Sequence, residues 1–329
     1  MIERDVRVGV VGVGSLGFHH ARILAAMNGV SVAGLWDTRA ERLAEVVAEH
    51  GVPAAVSLDR LLDTVDACVI AVPTEAHEEV AVAALRHGVH VLIEKPLAPT
   101  LESADRILEA ARGSGAMVQT GHVERFNGAL RAVEPFVEEL LFVESHRLAP
   151  FGPRGTDVAV VLDLMIHDLD LVLSLIPGRV NHVAAVGVPV LTSSTDIANA
   201  RLEFEGGAVA NLTASRVSLE RMRKIRFFQR SGYISLDLAS GSGEYLRIKG
   251  APFEPGRPFA GGRLEDIIER VSLTGDGREP LEVELDRFVA AVRGEAPVAV
   301  SGEDGRRALA VALDIVKRIE TNVAHRSMA

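Results

Sequence analysis

The first 121 residues of the chain alternate between continuous apolar runs and segments with one apolar face. The runs have no polar face, which is typical of strands buried on both sides in a parallel sheet. They occupy residues 6–13, 30–36, 67–72, 89–93 and 117–120, with a shorter one at 54–56. The segments between them repeat at helical spacing and occupy residues 17–27, 40–50, 58–62, 78–87 and 101–112. This alternation predicts a doubly wound parallel sheet over residues 1–121.

The pattern changes after residue 122. The chain continues with a helix at 127–140, a strand at 141–148, a loop rich in glycine and proline at 149–156, and an amphipathic helix at 157–176. Runs that predict an open, mainly antiparallel sheet follow at residues 180–190, 197–204, 208–217, 224–229, 233–238 and 245–248. Residues 251–279 form the least ordered stretch, and helices at 281–293 and 303–320 end the chain. We therefore predict an α/β protein with one domain at 1–121 and an α+β domain at 122–329.

Composition narrows the classes of function. The chain has 329 residues, of which 48% are hydrophobic and 24% charged, as in an ordinary globular protein. Its formal net charge of −10 argues against a general nucleic-acid or acidic-membrane binder. The single cysteine, Cys68, lies inside an apolar run, which excludes a disulfide framework and a cysteine metal site. No signal peptide or membrane-spanning stretch is evident, so we expect a cytoplasmic protein.

A glycine-rich turn joins the first strand to the first helix and has the sequence Gly12-Val13-Gly14-Ser15-Leu16-Gly17. In this position it matches the dinucleotide-binding fingerprint of the Rossmann fold. Gly12 allows the tight turn, Gly14 lets the backbone approach a pyrophosphate, and Gly17 lets the helix pack on the strand. The backbone of Ser15 and Leu16, just before the helix predicted at 17–27, and the free N–H groups at the start of that helix would bind phosphate. A glycine turn with a purely structural use is the alternative.

Asp37 ends the second strand, twenty residues after Gly17, where a carboxylate accepts hydrogen bonds from the adenosine ribose of NAD. The alternative role of Asp37 is to cap the following helix. Arg39 is compatible with the 2′-phosphate of NADP. The sequence therefore favours NAD and leaves NADP open.

Two further segments follow strands at the carboxyl edge of the predicted sheet, where ligands of open α/β sheets bind. They are Pro73, Thr74 and His77 after the strand at 67–72, and Glu94-Lys95-Pro96 after the strand at 89–93. We predict that these segments contact the coenzyme through Pro73, Thr74, His77, Glu94 and Lys95. The compact ammonium of Lys95 is also a candidate catalytic group, and a solvated Glu/Lys pair at the strand end is the alternative. For His77 the alternative is a solvated or helix-capping residue.

The predicted second domain carries a second candidate group on the helix at 157–176. Asp163 and His167 are four residues apart and therefore lie on one face of that helix. Imidazole titrates near neutral pH, which suits His167 to act as a general base. A surface histidine paired with an acid is the alternative. No further histidine or cysteine lies at the spacing that zinc would need, so we predict no metal site.

The chain resembles the glucose–fructose oxidoreductase / inositol dehydrogenase / MocA family in three motifs that occur in the same order. They are the glycine turn, Glu94-Lys95-Pro96, and Asp163-x-x-x-His167 before an open sheet. The resemblance covers nearly the whole chain and implies an NAD(P)-dependent oxidoreductase with a Rossmann domain. It implies that Lys95, Asp163 and His167 carry catalysis and that the peptide bond before Pro96 is cis. It also implies that the second domain binds substrate and mediates oligomerisation.

Within that family, residues 121–127 and 161–170 are similar to the branch of UDP-N-acetylglucosamine 3-dehydrogenases, although Gly128 stands where that branch usually has proline. The similarity implies NAD-dependent oxidation of the sugar 3-hydroxyl, which feeds 3-amino sugar and lipid A synthesis. It also implies a pyridoxal-phosphate-dependent aminotransferase that acts on the product, and a homodimer or homotetramer. Besides Asp163 and His167, the residues expected to bind this substrate are His122, Arg125, Asn127 and Arg154. Arg125, Arg147, Arg154 and Arg216 are candidates for binding its diphosphate, and a surface ion pair is the alternative for each of them.

Two other functions are compatible with the same residues. One is a dehydrogenase for a free sugar or polyol such as inositol, and the other is a non-catalytic NAD-binding regulator. A regulator could dispense with Lys95 and His167, which this chain has.

Overall fold

The computed structural model describes residues 4–152, 158–249 and 263–327. Its strands are β1 (Val6–Val11), β2 (Val30–Trp36), β3 (Ala67–Ile70), β4 (His90–Glu94), β5 (Val118–Gly121), β6 (Leu140–Leu148), β7 (Val180–Val188), β8 (Ile197–Phe204), β9 (Val209–Ser215), β10 (Met222–Gln229), β11 (Gly232–Asp237), β12 (Ser242–Ile248) and β13 (Ile268–Thr274). Its α-helices are α1 (Ser15–Ala26), α2 (Ala40–His50), α3 (Leu58–Leu62), α4 (His77–Arg86), α5 (Leu101–Ser114), α6 (Gly128–Val133), α7 (Ile166–Leu175), α8 (Leu264–Ile267), α9 (Pro280–Val292) and α10 (Gly302–Ser327). The chain packs as two compact units. Unit 1 contains residues 1–123 and 279–309, and unit 2 contains residues 124–278 and 310–329.

Unit 1 contains a parallel sheet with the strand order β2-β1-β3-β4-β5. This sheet confirms the predicted doubly wound fold. The short strand predicted at 54–56 is reduced to one bridge between Ala54 and Leu35. Because β2 and β3 lie on opposite sides of β1, the carboxyl ends of β1 and β3 border the crevice where such sheets bind ligands.

The core of unit 1 forms because the apolar runs leave no polar face. Every residue of β3 is buried, and so are Val8 and Val10 of β1. Helix α9 also joins this core, since Leu285 and Phe288 pack in the same cluster of buried side chains as Val8 and Val10. The helical pattern at 281–293 predicted α9, but it did not indicate that α9 packs in the core of unit 1.

Unit 2 contains a sheet with the strand order β13-β12-β11-β10-β6-β9-β8-β7. Neighbouring strands are antiparallel except for β6 and β9, which are parallel. The predicted open, mainly antiparallel sheet is therefore confirmed. The stretch at 251–279, predicted to be the least ordered, contains α8 and the edge strand β13 within residues 263–279, and no element was predicted there. Residues 251–262 lie outside the described residues.

Helical structure in unit 2 differs from the predicted pattern in two places. The helix predicted at 127–140 is the short helix α6 followed by a 3₁₀ turn at Glu134–Phe136. The helix predicted at 157–176 begins with a π-helical turn, Val161–Met165, and continues as α7, while residue 157 lies outside the described residues. Helix α7 packs against β6 and β9 and buries Leu169, Val172 and Leu173.

Helix α6 begins at Gly128, where the backbone of the segment after β13 approaches closely. A Cβ on Gly128 would lie 3.0 Å from the Cα of Gly275, and a Cβ on Gly275 would lie 2.6 Å from the Cα of Gly128. The two backbones are therefore in close contact, and a side chain at either position would require one of them to shift. Among the described helices of the whole chain, none is both long and apolar enough to cross a membrane.

Candidate active site

The turn after β1 has the geometry that the glycine motif predicts. Gly12 has a φ of +86°, and a Cβ there would lie 2.7 Å from the carbonyl oxygen of Ala71. A Cβ on Gly17 would lie 1.8 Å from the carbonyl oxygen of Gly12. Both positions therefore require glycine. Helix α1 begins at Ser15, so its first N–H groups follow the turn directly.

Asp37 lies beside this turn as an ionised carboxylate. Its Oδ2 accepts a 2.8 Å hydrogen bond from the backbone N–H of Val13, and Arg39 donates to both carboxylate oxygens at 2.9 to 3.0 Å. Partial burial alone would raise the pKa of Asp37, but these hydrogen bonds outweigh burial and lower the pKa to about 2. Asp37 can therefore accept hydrogen bonds from a ribose at neutral pH.

These residues fit NAD. A Cβ on Gly14 would lie 3.7 Å from the Arg39 side chain and meet nothing nearer among the described residues, so the backbone there is open to a ligand. An open backbone turn, a helix N-terminus and an ionised carboxylate are the groups that bind the pyrophosphate and ribose of a dinucleotide. Gly12, Gly14, Ser15 and Leu16 would hold the pyrophosphate. Asp37 would hold the adenosine ribose.

Replacing Asp37 by serine is expected to weaken NAD binding by about 10-fold or more, since hydrogen bonds to a charged acceptor contribute roughly 1.5–3 kcal/mol. The same change releases Arg39, so NADP should lose less affinity than NAD. Calorimetric titration with each coenzyme measures the dissociation constants of NAD and NADP. The control is Asp59→Ser, at an exposed position in the first turn of α3. Equal losses for NAD and NADP would contradict the assigned role.

The segment Glu94-Lys95-Pro96 lies at the carboxyl end of β4. Its Lys95–Pro96 peptide bond is cis, as the family resemblance implied. The Glu94 side chain is buried, and its Oε1 lies 2.7 Å from Nε2 of His20, a fully buried residue of α1. Its Oε2 accepts a 3.3 Å hydrogen bond from the backbone N–H of Lys95. Glu94 therefore connects the helix that follows the glycine turn to the backbone of Lys95.

The charge on Glu94 is stabilised inside the protein. Burial alone would raise the pKa of the Glu94 carboxyl, but the hydrogen bond and charge of His20 and the charge of Lys95 outweigh burial, so the pKa is lowered. A lowered pKa in the folded state adds stability above the unfolded pKa of about 4.3, and this contribution is lost as the pH falls through the folded pKa.

Replacing Glu94 by glutamine is therefore expected to reduce the free energy of unfolding by about 1–3 kcal/mol at neutral pH. The difference from the unmodified protein should begin to narrow below about pH 4 and disappear only after the pH has fallen through the lowered folded pKa, where the carboxyl is neutral in both folded and unfolded chains. Urea unfolding across this pH range measures the difference. Glu45→Gln, at a side chain that is 64% exposed, is the control. A difference that stays constant with pH would contradict the role of charge.

His77 faces the protein interior. Its Nδ1 lies 3.0 Å from the carbonyl oxygen of Pro96, and its Nε2 lies 3.1 Å from that of Val72. Burial lowers the pKa of His77 more than these carbonyl groups raise it. The ring therefore joins the segments that follow β3 and β4. Coenzyme binding by His77, and by Pro73 and Thr74 just before it, stays a prediction.

In unit 2, the predicted catalytic pair lies at the start of the helix that packs on the sheet. Asp163 belongs to the π-helical turn and His167 to the first turn of α7, and both are half-buried. Isolated π turns occur frequently at functional sites. The next two acids, Asp168 and Asp170, are buried and pair with Arg147 and Arg125. These ion pairs fix the helix that carries His167.

Arg147 is the centre of this buried charge cluster. Its Nε and Nη2 donate to the carboxylate of Asp168 at 3.1 and 2.7 Å, and its Nη1 donates to Glu124 Oε1 at 2.8 Å. The side chain is 4% exposed. Burial alone would lower the pKa of Arg147, but Asp168 and Glu124 outweigh burial and raise it. The arginine is therefore permanently charged and neutralised by two carboxylates.

The residues predicted to bind substrate lie in varied surroundings. In unit 1, His122 is buried. In unit 2, Asn127 is buried and caps α6 through its Oδ1, while its Nδ2 donates to Glu124 and to the carbonyl oxygen of Leu238. Arg125 pairs with Asp170, as described above, and Arg154 lies outside the described residues. Their contact with substrate stays a prediction. Among the described residues, no group of three or more His, Cys, Asp and Glu side chains could hold a metal ion.

The sequence interpretation missed His20, although the sequence holds a signal for it. His20 follows Gly17 by three residues and lies on the buried face of α1 with Ala21 and Leu24. A histidine on an apolar helix stripe needs a polar partner. The partner, Glu94, is 74 residues away in sequence, so only the folded chain identifies it.

Comparisons with known proteins assign these features to one family. The model of an oxidoreductase family with an NAD-binding Rossmann fold, GFO/IDH/MocA, matches residues 6–122, and that of the GFO/IDH/MocA C-terminal domain matches residues 140–235. The UDP-N-acetylglucosamine 3-dehydrogenase of Acidithiobacillus ferrooxidans is 39% identical over 316 residues, which are 96% of this chain and 97% of that protein. The chain belongs to the Gfo/Idh/MocA family of oxidoreductases.

Other comparisons agree with this assignment. The solved structure of that Acidithiobacillus enzyme, GnnA, matches with a TM-score of 0.88 and 38% identity and covers 98% of this chain and 99% of its own. The myo-inositol 2-dehydrogenase of Thermotoga maritima is more distant, at 27% identity over 96% of each chain. As a Gfo/Idh/MocA protein, the chain is an oxidoreductase with an NAD-binding Rossmann fold. The family, the enzyme class and the coenzyme predicted from the sequence are confirmed.

Proposed function

We propose that this Gfo/Idh/MocA protein oxidises the 3-hydroxyl of UDP-N-acetylglucosamine with NAD. The observation that carries the proposal is 39% identity to a UDP-N-acetylglucosamine 3-dehydrogenase along almost the full length of both chains. The distant inositol dehydrogenase, at 27% identity, supports inositol less well. In this proposal unit 1 binds the coenzyme and unit 2 binds the sugar.

In the proposed mechanism the residues of unit 2 handle the proton. NAD, when bound, supplies the hydride acceptor. His167 accepts the proton that the reacting hydroxyl loses, since an imidazole can exchange protons near neutral pH. Asp163 orients the His167 ring or binds a neighbouring hydroxyl of the sugar. The ion pairs of Asp168 and Asp170 support this arrangement because they fix α7.

Lys95 acts on the oxygen atom in the proposed mechanism. Its ammonium donates a hydrogen bond to the reacting oxygen and stabilises the negative charge that develops as the proton leaves. The support from the structure lies within unit 1, where Glu94 holds the Lys95 backbone at the carboxyl edge of the sheet. A positively charged donor near that edge stabilises an alkoxide more than a neutral donor would, because hydrogen bonds between charged groups are stronger.

The direct test is to incubate the protein with NAD and UDP-N-acetylglucosamine and to follow NADH absorbance. We expect turnover with this substrate and little with myo-inositol or N-acetylglucosamine. Reduction of the product with borodeuteride, followed by mass spectrometry, should place deuterium at C3 of the sugar. Turnover of inositol alone would favour the polyol dehydrogenase, and NAD binding without turnover of any sugar would favour a regulator.

The chemistry of the product suggests a reaction partner. A 3-oxo sugar is a ketone, which a pyridoxal-phosphate-dependent aminotransferase converts to an amine. We propose such an enzyme as the next step, in the cytoplasm, where nucleotide sugars and NAD are held. Addition of a candidate aminotransferase and an amino donor should draw NADH formation towards completion.

The open face of the unit 2 sheet supports a homo-oligomer. Val186 and Val188 of β7 are 48% and 46% exposed on this face. The rings of Phe142, Phe228 and Tyr233 form a row on the same face, with centroids 5.6 and 4.9 Å apart. Exposed apolar surface of this kind is typical of subunit contacts. Light scattering after gel filtration tests for a dimer or tetramer. Replacing Val186 and Val188 by aspartate should weaken the association of the subunits.

A further inference from the structure

The arginines named as candidates for the substrate diphosphate differ in how fully carboxylates neutralise them. Arg125 donates from Nε and Nη2 to Asp170 at 2.6 and 2.7 Å. Arg216 donates from Nε to Asp196 at 2.8 Å, and its Nη2 donates to Ser194 Oγ and to the carbonyl oxygen of Thr195. Arg147 has both Asp168 and Glu124, as described above. Each guanidinium therefore already has a buried carboxylate partner, which reduces its attraction for a phosphate.

Arg223 differs from these three arginines. Its ion pair among the described residues is with Glu124 Oε1, at 3.5 Å, and that oxygen already accepts the 2.8 Å hydrogen bond from Arg147. A separation of 3.5 Å is at the limit of a hydrogen bond. The Arg223 side chain is 41% exposed, so it is partly desolvated and still accessible to a ligand.

The surroundings of Arg223 contain more positive than negative charge. Burial lowers the pKa of Arg223, Glu124 raises it, and the charges of Arg147 and Arg221 lower it further. Three guanidinium groups here face two carboxylates, those of Glu124 and Asp168. The net effect is a lowered pKa, of which burial is the largest cause. An anion beside Arg223 would supply the missing negative charge.

Arg223 also lies on the side of the sheet that the proposed substrate groups occupy. On β10 it shares a face with Ile225 and Phe227, which are buried, whereas Arg226 lies on the opposite face. Directly across the ladder from Arg223 is Arg147, whose partner Asp168 is the neighbour of His167 in sequence. Arg223 is thus connected within unit 2 to the helix that carries the proposed proton acceptor.

We propose that Arg223 binds the diphosphate of the nucleotide-sugar substrate, an inference that rests on the proposed function. A guanidinium offers a planar fork of N–H donors that matches two phosphate oxygens, and its hydrogen bonds to an anion are stronger in a partly desolvated site. In this assignment the charges of Glu124, Arg147 and Asp168 neutralise one another beneath the site. Arg223 is the group that binds the ligand. Arg223 would then help to select a nucleotide sugar over a free sugar.

The test separates binding of the diphosphate from turnover. UDP, which carries the diphosphate but no sugar, is titrated calorimetrically into the NAD-loaded protein and into its Arg223→Leu, Arg223→Lys and Arg226→Leu variants. Arg223→Leu should raise the dissociation constant of UDP by about 10- to 100-fold, the loss expected for hydrogen bonds to a charged group. Arg223→Lys should retain part of the affinity, because it keeps the charge without the fork. Arg226→Leu, on the opposite face of the same strand, should match the unmodified protein.

Kinetics with UDP-N-acetylglucosamine provide the second measurement. Arg223→Leu should raise KM by a similar factor and leave kcat within about 3-fold, since uniform binding affects KM alone. If the unmodified protein turns over this substrate and Arg223→Leu and Arg223→Lys both leave the affinity for UDP unchanged, the inference is overturned. If the protein binds UDP through Arg223 but oxidises no nucleotide sugar, the site stands and the proposed function fails. If it neither binds UDP nor turns over the sugar, both are overturned.

Discussion

Replacing Lys95 by methionine is expected to lower kcat for UDP-N-acetylglucosamine oxidation by about 10²–10³-fold, the typical cost of removing one group that stabilises a developing oxyanion. Methionine has a similar length but can neither carry charge nor donate a hydrogen bond. The defect should therefore lie mainly in kcat, because the lost interaction is strongest in the transition state. Steady-state NADH formation measures it.

The control for this experiment is Lys249→Met, at an exposed lysine that donates to the carbonyl oxygen of Asp266 in unit 2. NAD titration and thermal unfolding of Lys95→Met should show a folded protein that still binds the coenzyme. A folded, NAD-binding Lys95→Met variant with nearly normal kcat would remove Lys95 from the mechanism.

Replacing Arg147 by methionine is expected to reduce the free energy of unfolding by about 3–5 kcal/mol. The change removes the cation that the buried carboxylates of Glu124 and Asp168 share, and a buried carboxylate that loses its cation is strongly unfavourable. Urea unfolding of the isolated variant measures the loss.

Arg226→Met is the matched control for Arg147→Met. Arg226 pairs with Glu144 at 3.2 Å, but its side chain is 46% exposed, and exposed ion pairs contribute about 0–1 kcal/mol. Equal effects of the two substitutions would show that burial of the charge cluster does not matter. The comparison therefore tests whether the loss of stability comes from burial of the charges or from the loss of any arginine.

The parallel sheet could be predicted from the sequence because its strands are buried on both faces. Every residue of a strand such as β3 is buried, so its sequence is a continuous run of apolar residues. The edge strand β13 has no such constraint. Glu269 and Arg270 are exposed on it, and Glu269 pairs across the ladder with Arg247 of β12. Its local pattern is therefore polar, and only its neighbouring strand identifies it.

The candidate site could be predicted where the backbone itself requires a residue type. Gly12 and Gly17 have no space for a side chain, and the fixed order of the three motifs pointed to the family. The partners of the charged residues could not be predicted in the same way. Arg147 pairs with a residue 21 positions away and Arg125 with one 45 positions away, so nothing local distinguishes a neutralised arginine from Arg223.

The contact between Gly128 and Gly275 bears on how this chain diverged from its relatives. Adding a proline ring at 128 would place ring atoms against the backbone at 275, and overpacking of this kind typically costs about 1–3 kcal/mol. A larger residue at 128 therefore requires a shift of the backbone at 275. The residue type at 128 thus depends on the backbone at a position 147 residues away, and we expect the two positions to covary among homologues.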